Sequence, residues 1–327
     1  MTTRKSKFHI FRLTFRSLLD GLNGQVSDGE KQLAAQQLFE SIGEKMTFLD
    51  GNQTPVETDP ANRFGRSIVY TRISREKLET LNDRGTTHRE NKVNDYPYFN
   101  VVFDFRHPTD YILVAIERNQ RAFSNILTVS QGLEQYFRQQ APSVEVNLRA
   151  ASLSRQFWHT VEQKCLIHST PLKGVMVEIS DVDNEFPFDV SDEERLFLST
   201  LMHMTRGAGA SDAHFGFGAG EEGKCLEVSQ VSESMMRVWQ LAGRSGFVIR
   251  ARLGNGMEVS SAVDAPAVYP MDKRIVGDGG EKPGEEKMPL AEQEQKLKDW
   301  FDKIYSELKG IEEEERNDGK TRRHIKK

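Results

Sequence analysis

Tyr98-Phe99-Asn100-Val101-Val102-Phe103-Asp104-Phe105 and Tyr111-Ile112-Leu113-Val114-Ala115-Ile116-Glu117 are parted only by Arg106 and the turn His107-Pro108-Thr109-Asp110. Both runs are short and rich in aromatic and branched residues, which suits strands. Proline and aspartate in the connection are turn residues. So short a connection leaves no room for a crossover helix, and the two strands must run antiparallel. The same argument applies to residues 246–253 and 257–263, which flank Gly254-Asn255-Gly256 and read as a hairpin. Helical patterns lie between such strands. The expected class is therefore α+β, with mostly antiparallel or mixed sheets and helices packed on one face, not a doubly wound parallel fold.

Working outward, strands are predicted at 8–15, 67–73, 144–148, 174–179 and 226–231. Ser27-Asp28-Gly29-Glu30 has the form of a capping box ahead of Leu33, Ala34, Leu38, Phe39 and Ile42. Leu127, Leu133 and Phe137 mark a helix that ends near Gln140, before Pro142. Further helices are expected through Leu153 to Val161, from Ser191 onward, and through Met235 to Leu241. Residues 51–62 read as a loop, and 81–95 as a polar, exposed stretch.

Charge divides the chain. Of the first 263 residues 63 are Asp, Glu, Lys or Arg, against 30 of the last 64, so the C-terminal part has no conventional core of its own. The predicted organisation is an α+β unit over 1–150, a second over 151–263, a flexible linker over 264–289, an amphipathic helix over 290–316 and a basic tail over 317–327. In the helix Leu297, Trp300, Phe301, Ile304 and Leu308 recur on one side. Such a stripe must leave water, on the chain's own body, on a second copy or on a partner. Self-association or partner docking through 290–316 is the expectation carried forward.

The net charge of −5, with 28% charged residues, argues against a broadly basic nucleic-acid-binding surface but permits a local patch. Candidate contacts are Arg118, Arg121 and Arg138, interleaved with Phe123, Tyr136 and Phe137, together with Arg322, Arg323, Lys326 and Lys327 at the end. Cys165 and Cys225 stand far apart and show no metal-ligand spacing. The first residues form no apolar leader, because Arg12 and Arg16 interrupt them. A cytoplasmic protein without a membrane partner is expected.

Residues 218–225, Gly-Ala-Gly-Glu-Glu-Gly-Lys-Cys, fall one substitution short of the phosphate-loop pattern. The residues before them do not form a clear strand, and those after alternate like a strand instead of a helix. Cys225 takes the place of a magnesium-binding hydroxyl, and Glu221 and Glu222 repel an anion. The match is read as accidental. Asp212, Glu222 and Lys224 are candidate catalytic residues of the acid-and-lysine type, and Glu178, Asp181 and Asp183 candidate metal ligands. Phe186 in place of the required glycine excludes a calcium loop of the helix–loop–helix kind. His203 and His214 bracket the glycine stretch. The predicted function is a cytoplasmic non-catalytic binding and assembly protein that contacts nucleic acid, needs no cofactor and serves in defence against mobile elements. The alternative is a metal-dependent nuclease or phosphoryl-transfer enzyme using magnesium.

Overall fold

The computed structural model describes residues 5–18, 26–43, 45–74, 77–82, 90–95, 97–120, 122–123, 125–180, 212–220, 224–235, 247–276 and 288–325. At 77–82, 90–95, 155, 179–180, 212–213, 247 and 309–325 only the backbone is described. Elements follow in chain order as β1 (Lys5–Arg16), α1 (Asp28–Ser41), β2 (Thr47–Leu49), β3 (Pro55–Thr58), β4 (Asn62–Phe64), β5 (Ile68–Ser74), β6 (Lys77–Asn82), β7 (Glu90–Asp95), β8 (Tyr98–Asp104), β9 (Ile112–Glu117), α2 (Ile126–Gln140) and β10 (Glu145–Ala150). Next come α3 (Ser154–Ile167), β11 (Leu172–Ser180), β12 (Asp212–Gly218), α4 (228–235), β13 (Phe247–Leu253), β14 (Glu258–Ser260), β15 (Val268–Asp272) and α5 (Leu290–Ile325). The class is α+β with antiparallel sheets and a C-terminal helix. Two units share the chain: residues 1–18, 26–148 and 268–301 in the first, and 19–25, 149–267 and 302–327 in the second.

The first unit is built on a nine-stranded sheet ordered β10-β1-β9-β8-β5-β3-β2, with β15 added to β1 and β4 to β5. The opening pair behaves as its short turn demands, with Val101 opposite Ile116 and Asp104 opposite Leu113 in antiparallel register. β1 lies against β9 through residues 8–13 and against β15 through residues 5–9. One face of the sheet packs on α1 and α2, where Phe103 meets Phe137 edge-on at 5.8 Å and Phe105 meets Phe39 at 5.5 Å. Helix α1 starts at its capping box: the Glu30 amide donates to Ser27 Oγ at 3.3 Å, and the Ser27 amide to Glu30 Oε2 at 2.8 Å. Of its apolar residues, Ala34, Leu38 and Ile42 are buried, whereas Leu33 is exposed.

The other face carries Phe8, which meets Trp300 of α5 at 6.0 Å, and a buried polar chain. Within that chain Ser6 donates to Glu117, Asn100 Nδ2 donates to Glu117 Oε2 at 2.6 Å, and Tyr70 donates to Asn100 Oδ1 at 2.7 Å. Arg72 Nε donates to the Tyr70 hydroxyl at 3.0 Å, and Lys273 Nζ lies 3.8 Å from Glu117 Oε1. Register explains the convergence: Ser6, Glu117, Asn100 and Tyr70 sit at positions that alternate onto one face of β1, β9, β8 and β5. The Glu117 side chain, only 7% exposed, is met there by Ser6, Asn100 and Lys273, which lie on three separate segments.

Several expectations are corrected. Residues 51–62 are not a plain loop, because β3 and the start of β4 lie there and pair with β5. The polar stretch 81–95 falls in a hairpin, with Lys77 opposite Asp95 and Asn82 opposite Glu90. The interval 264–289 is not wholly a linker: Val268–Asp272 is β15, and Lys273–Val276 forms a 3-10 turn. Pro270 does not break β15, because proline is tolerated on an edge strand, and among the described residues β15 pairs with β1 alone. The helix predicted over 290–316 continues to Ile325, taking in most of the segment 317–327. Its stripe is not a free partner surface, since Leu297, Phe301, Ile304 and Leu308 are buried and Trp300 Nε1 donates to the Pro270 carbonyl at 2.9 Å. The helix expected from Ser191 lies outside the described residues.

His9 of β1 is mostly buried, and neither ring nitrogen finds a hydrogen-bond partner among the described residues. Burial, aided by the Arg118 guanidinium, holds its pKa below the usual histidine range. The folded chain therefore resists a proton that the unfolded chain accepts below pH of about 6.5. Stability should fall as pH drops from 7 to 5, and His9→Leu should flatten that decline in urea titrations run across this window. Glu117→Ala should cost about 3 kcal/mol by stranding Lys273 and Asn100, read as a lower urea midpoint. A chain ended at Val263 lacks β15 and α5 and should lose the near-UV signal and cooperative melt of the first unit.

Candidate functional site

The second unit holds a four-stranded antiparallel sheet ordered β12-β11-β13-β14. Leu172, Val175 and Val177 of β11, Ile249, Ala251 and Leu253 of β13 and Val259 of β14 form one core with Phe157, Trp158 and Val161 of α3 and Val231 and Met235 of α4. A register shift between Leu172 and Gly174 lets both Leu172 and Val175 turn inward despite their odd spacing. Strict alternation then sends Gly174, Met176, Glu178, Arg250 and Arg252 to the opposite face, along with His214, Gly216 and Gly218. His214, Gly216, Gly218 and Arg252 are all exposed, so this face meets solvent.

Gly174 lies directly opposite Gly218, and Gly216 opposite Met176. Gly216 and Gly218 leave exposed backbone beside His214 and Met176, whereas Gly174 is buried, with Arg252 Nη2 4.0 Å from where its Cβ would stand. Strand spacing also requires one of them: a Cβ at Gly216 would come within 2.7 Å of the Val175 carbonyl. Arg250 is committed, with Nε at 2.8 Å and Nη2 at 2.6 Å from Glu178 Oε2. Arg252 has no partner among the described residues. Lys173 Nζ donates to the Lys224 carbonyl at 2.5 Å, which ties the end of the glycine stretch to β11.

The glycine stretch itself is corrected on both flanks. Asp212-Ala213-His214-Phe215-Gly216-Phe217-Gly218 is strand β12, and the exit is helical over 228–235 after a single bridge from Leu226 to Leu172. The strand predicted over 226–231 is thus absent. The local order is strand, loop, helix after all, but β12 is an edge strand of an antiparallel sheet. A phosphate loop instead springs from a parallel strand, whose carboxyl end faces the ligand with the helix N-terminus.

The remaining site candidates scatter. Glu178 lies opposite His214, while position 212 lies opposite Ser180. Asp181, Asp183, His203 and Glu222 lie outside the described residues, and of Asp212 only the backbone is described. Lys224 is exposed. Among the described residues no three His, Cys, Asp or Glu side chains come together in a metal-binding group. Arg118 is exposed. Arg138 is instead structural, since it pairs with Glu134 at 2.8 Å and Glu145 at 3.2 Å and donates to the Val146 carbonyl. Phe123 and Phe137 are buried in the core, and Tyr136 is half-buried beside Phe48 at 6.1 Å. Arg121, Lys326 and Lys327 lie outside the described residues, and Arg322 and Arg323 are described as helix backbone only.

What sequence reasoning missed is the pair Arg250 and Arg252. Phe247-Val248-Ile249-Arg250-Ala251-Arg252-Leu253 carries the signal, two arginines at period two on a strand whose alternate residues are apolar. Among the described residues no helix is long and apolar enough to cross a membrane. No protein-family model, no curated protein and no solved structure matches the chain.

Proposed function

We propose that this chain is a binding protein that takes single-stranded nucleic acid on the open face of its four-stranded sheet. The observation that carries the reading is Arg252, an exposed guanidinium without a partner among the described residues, on the same sheet face as the exposed Gly216 and Gly218 and beside His214 and Met176. Bare backbone admits a flat base, imidazole and thioether offer it contact, and the guanidinium takes a phosphate. A duplex would present phosphates but no base face to such a surface, so an unpaired strand fits best. Arg250 keeps the arginine row in line through its pair with Glu178. The reading puts the recognition surface on β11–β13 and not on Arg138. It also suits a reducing, cytoplasmic setting, in which Cys165 and Cys225 stay free thiols.

A second reading, metal-dependent phosphoryl transfer, is favoured by one observation: Glu178 stands opposite His214, one strand-pair from position 212. Under it Glu178 would share a magnesium or manganese ion with acids nearby.

Fluorescence anisotropy with labelled single-stranded RNA and DNA tests the first reading. Arg252→Glu should weaken binding by about tenfold or more and lower the salt slope by about one, and His214→Ala should cost about 1–2 kcal/mol of stacking. Wild-type protein that leaves both probes free, or an Arg252→Glu variant that binds as well as wild type, overturns it. Manganese-dependent cleavage of the probe, lost in Glu178→Gln, would instead establish the second reading.

A further inference from the structure

We propose that β12 is a self-association edge: a second copy of this chain adds its own β12 in antiparallel register about a two-fold axis at Phe215, joining two four-stranded sheets into one of eight strands. β12 ends the order β12-β11-β13-β14, and its outer side has no strand partner among the described residues. His214, Gly216, Phe217 and Gly218 are all exposed along it, Phe217 by 43%. An open edge of this kind presents a row of unpaired backbone donors and acceptors.

Natural sheets blunt such edges by shortness, proline, lysine or a bulge. The opposite edge of this sheet, β14, is only three residues long. β12 has none of these protections. It runs for seven residues without Pro, Lys or Arg, and its register with β11 is unbroken from Gly218 to Asp212. The apolar stripe of α5, the surface that would otherwise serve for association, is already buried.

The occupant follows from the strand's own order of residues. In an antiparallel pair centred on Phe215, Phe215 faces its copy, Ala213 faces Phe217, His214 faces Gly216 and Asp212 faces Gly218. Every flanking pair sets a large or charged residue against a small one, and the central pair is aromatic against aromatic. Alternation keeps Phe215 and Phe217 of both copies on the helix side, where they lengthen one apolar row. A parallel pair would bring Asp212 against Asp212 and the two glycines against glycines, losing both packing and charge balance. The two-fold arrangement is also isologous, so it closes at two copies.

This inference stands apart from the nucleic-acid reading, because its readout is mass measured without any ligand. Sedimentation velocity and light scattering over about 1 to 100 µM should give twice the chain mass of 37.3 kDa at the upper end, falling toward the single-chain mass on dilution. Phe217→Lys, which puts an ammonium on the edge, should raise the dimer dissociation constant at least about tenfold while leaving the far-UV spectrum unchanged. Hydrogen exchange on the wild-type chain gives an independent readout: amides of residues 213–217 should exchange more slowly as concentration rises. A single-chain mass at every concentration, a dimer indifferent to Phe217→Lys, or exchange at 213–217 that ignores concentration would each overturn the proposal.

Discussion

Strand β1 is the constraint on which the first unit depends. Its residues 8–13 pair with β9 while 5–9 pair with β15, and β10 completes the same side. Phe8 therefore sits between Glu117 and Tyr269, segments far apart in sequence. Closing such loops costs conformational entropy that only the finished sheet returns. The strand tolerates this because nearly every residue from Phe8 to Phe15 is apolar or covered, so each ladder bond forms away from water, where an unmade one is expensive. Its polar exceptions are informative. Ser6 and His9 flank Phe8, one satisfied by Glu117 and the other left without a hydrogen-bond partner among the described residues.

Helix α5 and the buried polar chain belong to the same solution. One face of the nine-stranded sheet is closed by α1 and α2 through aromatic contacts, and the other receives Trp300 beside Phe8. Asp104 holds Arg106 with three short bonds, and Arg106 in turn reaches the Lys298 carbonyl at 3.4 Å. The chain from Arg72 through Tyr70, Asn100 and Glu117 to Lys273 runs along that face as a fully partnered network. Such networks set register more than they add stability, because an ill-fitting alternative strands a charge. A dense run of lysines and glutamates after residue 290 looked separable by composition, but its apolar stripe makes it part of the fold.

In the second unit strand alternation separates the core face from the outward face. The inward residues of β11 and β13 are aliphatic and pack on α3 and α4, and the outward ones stand away from that core. They are Gly174, Met176, Glu178, Val248, Arg250 and Arg252, joined by His214 of β12. The stretch Asp212–Gly218 reads as a loop in sequence because two of its seven residues are glycine and one is aspartate, all poor strand formers. Pairing with β11 overrides that preference. The glycines are then not signs of a flexible loop: at Gly216 the approach of the Val175 carbonyl leaves no room for a side chain.

By itself the sequence determined the class, many of the strands and helices, the capping box at Ser27 and the buried stripes of α2, α3 and α5. Those features arise from local periodicity and short turns, whose physics acts within a few residues. Tertiary structure alone decided which strands are neighbours, that β15 returns to β1, that α5 seals a sheet and that β12 is a strand with an open edge. It also decided the candidate site. Arg252, Gly174, Gly216, Gly218 and His214 come from three separate strands, and only the register of β11 between β12 and β13 brings them to one face.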